Sequence, residues 1–311
     1  MDLALDQATP FLLDGDPAIR WQTMRDLLDA DAAEVAAERA QVAETGWGRD
    51  LLDLQDPEGT WAQAIYSPKW TSTTYTLLLL RRLGLAPGTP AALRGCEQIW
   101  SKSGVDGWMV LPRSTSRGDT CVAGMFVALA AYFGYKDGQM ERVIEWILDQ
   151  RLDDGGWNCR TLRSDVNHSS YHTSITVLEM IAELKANGHD DPRLIEAAAG
   201  GREFFLAHRL YKSHRTGEIS HSTYTKLSFP PRWHYDVLRG LDYFQSVDAA
   251  WDERLSDAVE LLESKQRKDG FWPVQHKHVG RVWFDMESGR KPSRWNTLRA
   301  LRVLRWVGRT R

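Results

Sequence analysis

Three short segments of this 311-residue sequence read QDPEGTW (residues 55–61), QRLDDGGW (150–157) and QRKDGFW (266–272). Glycine and aspartate are typical of a turn that ends a helix. The closing tryptophan is then expected to pack back between two layers of helices. Because the same turn recurs along the chain, the sequence predicts a fold built from repeated helical units.

Six further segments share a common start. They read RWQTMRDLL (20–28), KWTSTTYTLLLL (69–80), GDTCVAGMFVALAAYFG (118–134), SSYHTSITVLEMIAEL (169–184), RWHYDVLRGLDYF (232–244) and RWNTLRALRVLRW (294–306). Aligned on their first key positions, they start at Trp21, Trp70, Asp119, Tyr171, Trp233 and Trp295, at intervals of 49 to 62 residues. Their bodies are apolar on several faces, which predicts buried helices.

Amphipathic stretches separate these segments, with charges every three or four residues. They read AALRGCEQIWSK (91–102), QMERVIEWILDQRL (139–152), RLIEAAAGGREFFLAHRLY (193–211) and ERLSDAVELLESKQ (253–266). Such patterns predict an outer, solvated layer of helices. We therefore expect one all-α domain over residues 1–311, a closed (α/α)6 toroid with inner and outer helices, although an open superhelical solenoid shares such periods. In a closed ring the starts of the inner helices meet at one mouth.

The composition limits the classes of function. The net charge of -3 offers no general attraction to nucleic acid, and the three cysteines argue for a reducing compartment rather than a disulfide framework. The N-terminus has acidic residues where a signal peptide needs basic ones, and no stretch approaches the roughly 18 apolar residues of a membrane-spanning helix. These features predict a cytoplasmic protein with no transmembrane segment and no nucleic-acid partner.

Over most of the chain, the repeated turn and helix start resemble the superfamily of squalene and oxidosqualene cyclases and protein prenyltransferase β subunits. The resemblance implies an α/α toroid around a deep cavity that handles isoprenoids. The cyclases carry an Asp-x-Asp-Asp-Thr-Ala motif whose central Asp protonates an alkene. Residues 116–121 read SRGDTC. Because Gly118 stands where the proton donor would be, cyclisation by that acid is disfavoured.

Protein prenyltransferase β subunits carry Asp-x-Cys at one inner helix start and Tyr-His-Thr one repeat later. This sequence has DTC at 119–121 and YHT at 171–173. The family's Asp, Cys and His bind a catalytic zinc, so the resemblance implies that Asp119, Cys121 and His172 hold Zn²⁺. Three protein ligands leave one coordination position open for a substrate.

The same family places basic residues before the Asp to hold a diphosphate, and the resemblance assigns that role to Arg113 and Arg117. Aromatic residues at the helix starts are expected to line the cavity and to stabilise cationic charge; they are Trp70, Tyr171, Trp233 and Trp295. We therefore predict a zinc-dependent, prenyltransferase-like or terpenoid-processing enzyme, a transferase by type. Its partner is an isoprenoid or similarly apolar small molecule, including a prenyl diphosphate.

Several alternatives remain open. His234 and Asp236 are candidates for general acid–base chemistry, and Cys159 is expected either to pack or to join the metal. Cys121 and His172 would also suit a thiol hydrolase. The chain could equally be a non-catalytic isoprenoid-binding protein with the same fold. Because tryptophans stack on sugars, a carbohydrate-active (α/α)6 enzyme is a further alternative, one that needs two carboxylates across the cavity.

Overall fold

The computed structural model describes residues 2–102, 104–105, 108–109, 119–161, 164–287, 289 and 291–310. Within them the α-helices are α1 (Asp2–Leu13), α2 (Pro17–Asp26), α3 (Ala32–Glu44), α4 (Gly46–Asp53), α5 (Thr73–Leu83), α6 (Pro90–Lys102), α7 (Thr120–Phe133), α8 (Met140–Asp149), α9 (Tyr171–Ala186), α10 (Pro192–Ala207), α11 (Val237–Ser246), α12 (Ser256–Ser264) and α13 (Arg294–Thr310). Strands β1 (Gly104–Val105) and β2 (Trp108–Met109) pair antiparallel. The predicted all-α class is confirmed. In the described part of the chain, no helix is both long and apolar enough to cross a membrane; the cytoplasmic location stays a prediction.

The six segments with a common start form helices α2, α5, α7, α9, α11 and α13. Two of these helices begin later than the repeat suggests: Trp70 lies before α5, and Trp233 lies before α11. Asp236 explains the later start of α11, because its carboxylate accepts the Arg239 N–H as an N-cap at 2.9 Å. Trp70 and Trp233 therefore lie on entry loops, where their rings can meet residues of other repeats.

The amphipathic stretches form α6, α8, α10 and α12, and the three turns have the same structure. Each turn tryptophan donates its Nε1–H to the carbonyl ten residues earlier: Trp61 to Leu51 at 2.7 Å, Trp157 to Ile147 at 2.8 Å and Trp272 to Leu262 at 2.8 Å. The backbone N–H groups of the same tryptophans donate to side-chain hydroxyls of the following inner helix, on Thr73, Ser174 and Thr297. Each turn thereby links the preceding helix to the next helix of the set with a common start, α5, α9 or α13.

Neighbouring inner helices are in contact along the chain, from α5 through α7, α9 and α11 to α13. Helix α13 also contacts α2. Helix α2 meets the end of α5, where Trp21 Nε1 donates to the Leu83 carbonyl at 2.9 Å. The first and last inner helices are therefore neighbours in space.

The facing sides of the inner helices carry charged residues. In what we call the central ion-pair network, Arg239 and Arg82 lie 2.8 and 3.3 Å from Glu179 oxygens. Asp242 is paired with Arg299 at 3.1 Å and with Arg302 at 2.6 Å. The sequence indicated apolar inner helices, but their sides toward one another are partly ionic.

Candidate functional site

Aromatic and histidine rings from four parts of the chain meet beside the helix starts. His234 lies between Trp233 and His278, with 3.8 Å between ring centres on both sides. His172, in the first turn of α9, lies 5.1 Å from Trp233 and 5.7 Å from His234. Trp70 meets His234 edge-on at 5.8 Å. We call these five residues the mouth cluster; four of them are residues that the sequence singled out.

The mouth-cluster histidines are neutral near pH 7. Burial, with Arg239 and His221 adding to it, lowers the pKa of His172 to about 4. Burial likewise lowers the pKa of His234 to about 2 and that of His278 to about 3. The Tyr235 N–H donates to Nδ1 of His172 at 2.8 Å. The ring proton of neutral His172 is therefore on Nε2, which acts as a hydrogen-bond donor.

Two cations accompany these rings. Lys69 Nζ lies 5.0 Å from the centre of the Trp233 ring, and the Arg232 guanidinium lies 5.5 Å from that of Trp70. Among the described residues, no carboxylate forms an ion pair with either cation. Burial lowers the pKa of Arg232 to about 10, which leaves it charged at neutral pH. The two residues therefore place positive charge beside these rings.

A cavity of about 340 Å³ adjoins Arg232 and Trp70. Its wall is largely apolar and includes Leu79, Phe229, Pro230, Val282, Trp283, Phe284 and Met286. Residues 276–287, which we call the covering segment, are fastened over it by several contacts. The Trp70 Nε1–H donates to the His278 carbonyl at 3.1 Å, and the Trp283 Nε1–H donates to Thr76 Oγ1 at 3.1 Å.

The predicted zinc ligands have other neighbours. The Cys121 backbone N–H donates to Cys159 Sγ at 3.1 Å, so Cys159 has a polar role beyond packing. His172 has its Nδ1 lone pair engaged by Tyr235 and carries its proton on Nε2, so neither nitrogen is free to bind a metal. No group of three or more His, Cys, Asp or Glu side chains suited to a metal ion occurs in the described residues. With these neighbours, Cys121 and His172 do not present a donor set that fits zinc. The Zn²⁺ cofactor therefore stays a prediction from the sequence resemblance.

The surroundings of Cys121 and Cys159 shift the pKa values of their thiols in opposite directions. The Cys121 thiol donates to Cys159 and lowers the pKa of Cys159; the same contact, with burial, raises that of Cys121. Burial raises the pKa of Cys96 to about 12. We therefore expect iodoacetamide at pH 7.5 to modify Cys159 at least about tenfold faster than the other two thiols, as measured by peptide mass spectrometry.

Two substitutions check this prediction about the thiols. Cys96→Ser should leave the fast phase of labelling unchanged, because Cys96 is buried elsewhere in the core. Cys159→Ser should abolish the fast phase. Labelling of Cys121 before Cys159 in the wild-type protein would contradict the assignment.

Other predicted site residues have structural contacts. Asp236 is 1% exposed, and besides capping α11 it accepts hydrogen bonds from the N–H and hydroxyl of Ser228. The Asp236 carboxylate is therefore engaged in hydrogen bonds with Ser228 and Arg239, and it does not provide a free carboxylate to the cavity. Trp295 is buried and stacks on Phe229 at 4.5 Å.

Tyr171 faces the outer layer. Its hydroxyl donates to the Lys212 carbonyl at 2.9 Å, and its ring contacts Phe204 and Phe205 of α10. It therefore packs between layers rather than in the mouth cluster. Arg113 and Arg117 lie outside the described residues.

Lys69, Arg232 and His278 are not among the site residues predicted from the sequence. A signal existed for the first two, because four aligned tryptophans directly follow a basic residue, namely Arg20, Lys69, Arg232 and Arg294. Arg20 pairs with Glu38 at 2.6 Å and Arg294 with Asp14 at 2.9 Å. Lys69 and Arg232 differ in that neither forms an ion pair with a carboxylate in the described structure. The sequence alone does not reveal this difference.

Comparison with known proteins adds information on the fold. No protein-family model and no curated protein matches this chain. A solved structure described as "Crystal structure of a protein from Actinoplanes" is similar over 99% of each chain, with a TM-score of 0.51 and 17% sequence identity. This similarity shows a shared fold and carries no function. The resemblance to the cyclase and prenyltransferase superfamily stays a prediction.

Proposed function

We propose that this protein binds an isoprenoid or similarly apolar small molecule with an anionic group at one end. The apolar part would lie in the cavity under the covering segment, and the anionic group beside Arg232 and Lys69. Turnover of such a ligand would make the protein a prenyltransferase-like or terpenoid-processing enzyme. Binding without turnover is the second candidate, favoured by the engaged Nδ1 of His172.

We also infer that the helices form an (α/α)6 toroid over a single domain. The contacts between successive inner helices, and between α13 and α2, support a closed ring. Arg302 of α13 strengthens that closure by reaching Asp26 of α2 at 3.2 Å. An open solenoid would keep its first and last repeats apart.

The observation that carries the proposal is the pair of cations without carboxylate partners in the described structure. Arg232 contributes to the cavity wall, and Lys69 lies over the neighbouring rings of Trp233 and Trp70. A charge held away from water is costly unless a counter-charge compensates it. A phosphate or diphosphate group would supply that counter-charge, and His172 offers an N–H donor in the same cluster.

The cavity itself suits an apolar molecule. Its volume of about 340 Å³ lies in the usual range for small-molecule sites. Two carboxylates occur in its wall: Glu287, which bonds to the Ser293 hydroxyl and the Trp295 N–H, and Asp285, which pairs with Lys277. Because both are engaged, no observation favours the carbohydrate-active alternative.

Binding of farnesyl diphosphate tests the proposal. Arg232→Gln should weaken binding by about tenfold to a hundredfold, because it removes one charge-assisted contact. It should leave the weaker binding of farnesol nearly unchanged. Titration calorimetry measures both constants, and release of diphosphate from labelled ligand separates an enzyme from a binding protein.

Arg20→Gln is the matched control, since Arg20 occupies the same repeat position but pairs with Glu38. This variant should bind farnesyl diphosphate as the wild-type protein does. Equal affinities in Arg232→Gln and wild type would refute the assigned site.

A further inference from the structure

A second cavity, of about 570 Å³, adjoins the last turns of the inner helices. Residues from the last turns of five inner helices line it, namely Asp26, Arg82, Tyr132, Ala186 and Ser246. Arg25, Ala186 and Ser246 on its rim are exposed, so the cavity is open to solvent. We call it the arginine cavity.

The charges around the arginine cavity do not balance. Its lining contains six arginines and four carboxylates, a surplus of two positive charges. The arginines are Arg25, Arg39, Arg81, Arg82, Arg299 and Arg302, and the carboxylates are Asp26, Glu179, Glu183 and Asp242. The surplus has the sign that an anion would neutralise.

The carboxylates are largely engaged by particular arginines. Arg239, which is not part of the lining, holds both oxygens of Glu179 at 2.9 and 2.8 Å. Among the described residues, the Arg82 side chain has one hydrogen bond, to Glu179 at 3.3 Å. Burial, with Arg239 and Arg299 adding to it, lowers the pKa of Arg82 to about 10 although Glu179 acts in the opposite direction.

Arg299 provides an independent observation. Its side chain is 2% exposed and uses Nε and Nη1 to reach Asp242, the Ser228 carbonyl and Asn296. Its Nη2 is buried and has no hydrogen-bond partner among the described residues. Buried polar groups almost always have a partner, so a buried guanidinium N–H beside a cavity indicates a place for an acceptor from outside the chain.

Helix ends offer another explanation for arginines, because the carbonyls of a last turn attract cations. Arg39 has that role, since it donates to the Gly84 carbonyl at 2.8 Å, and Arg305 donates to the Asp26 carbonyl. None of the hydrogen bonds described for Arg82 and Arg299 goes to a last-turn carbonyl. These two arginines therefore need a different explanation.

We propose that the arginine cavity binds a compact anion that carries phosphate groups, with Arg82 and Arg299 as its main contacts. The planar guanidinium presents paired N–H groups that match two phosphate oxygens. This site is separate from the proposed isoprenoid site, so either can exist without the other.

Inorganic diphosphate is the probe that tests the arginine cavity. It should bind saturably and raise the Tm by about 4 °C at a hundredfold excess over Kd. Arg82→Gln should weaken binding at least about tenfold, and Arg82→Lys, which keeps the charge but loses the paired N–H groups, should fall between Gln and wild type. Both variants should fold, because Glu179 keeps both bonds to Arg239.

Arg20→Gln is the matched control, since Arg20 lines neither cavity and pairs with Glu38, so this variant should leave the diphosphate binding intact. Binding that survives Arg82→Gln but disappears in Arg232→Gln would assign the anion to the other site and overturn the proposal. The proposal would also be overturned if diphosphate did not bind saturably, or if the protein bound citrate and not diphosphate. If Arg82→Gln does not fold, the affinity of Arg82→Lys for diphosphate provides the test.

Discussion

Replacing Trp157 with alanine is expected to lower the free energy of unfolding by about 3–5 kcal/mol. The Trp157 side chain is fully buried, and its Nε1–H donates to the Ile147 carbonyl at the end of α8. Gly201 of α10 makes room for the ring, since a Cβ there would lie 3.0 Å from Trp157 Cζ3. Alanine would leave a cavity where α8, α9 and α10 meet. Equilibrium unfolding in urea measures the loss.

Trp157→Phe separates packing from hydrogen bonding. Phenylalanine keeps most of the ring contacts and loses the bond to Ile147, so it should cost about 1–2 kcal/mol. Trp61→Ala should behave like Trp157→Ala, because Trp61 makes the same bond and packs against Gly95 of α6 in the same way. If alanine at 157 cost less than 1 kcal/mol, the turn tryptophans would not fasten the layers as we infer.

The repeat could be predicted from sequence because its determinants are local. A glycine turn and a tryptophan that bonds ten residues back recur at 55–61, 150–157 and 266–272. The ion pairs between inner helices could not be predicted. Glu179 meets Arg82 from 97 residues away and Arg239 from 60 residues away, and such contacts depend on how the helices are rotated.

The site was predicted less completely than the repeat, because it also depends on contacts between residues that are far apart in the sequence. The repeat placed Trp70, His172, Trp233 and His234 at helix starts, and the structure brings them together. Tyr171 occupies the same repeat position as Trp70 and Trp233, but it is the first residue of a helix, whereas those two tryptophans lie on loops. Its ring therefore points in a different direction from His172, its neighbour on α9, and packs against Phe205. Cys121 meets Cys159 rather than His172, and no pattern in the sequence specified that choice.

Lowering the pH from 7 to 5 is expected to reduce the free energy of unfolding by about 6 kcal/mol through the mouth cluster. In the unfolded chain a histidine binds a proton below about pH 6.5. Burial lowers the folded-state pKa of His172 to about 4, of His278 to about 3 and of His234 to about 2. Between these values and pH 6.5 the unfolded state holds more protons, so stability falls as the pH falls. The nearby charges that act on these rings, Lys69, Arg232 and Arg239, are cations and strengthen the effect.

Urea unfolding at half-unit intervals of pH measures this slope, which reaches about 1.4 kcal/mol per pH unit for each neutral histidine. His278→Gln should remove about one third of the loss between pH 7 and pH 5, because it deletes one of three buried bases. His168→Gln is the matched control, since His168 is exposed, and it should leave the slope unchanged. Constant stability between pH 7 and pH 5 would mean that the folded histidines take up protons over the same pH range as those of the unfolded chain. In that case the mouth cluster would become positively charged by pH 5, in addition to the charges of Lys69 and Arg232.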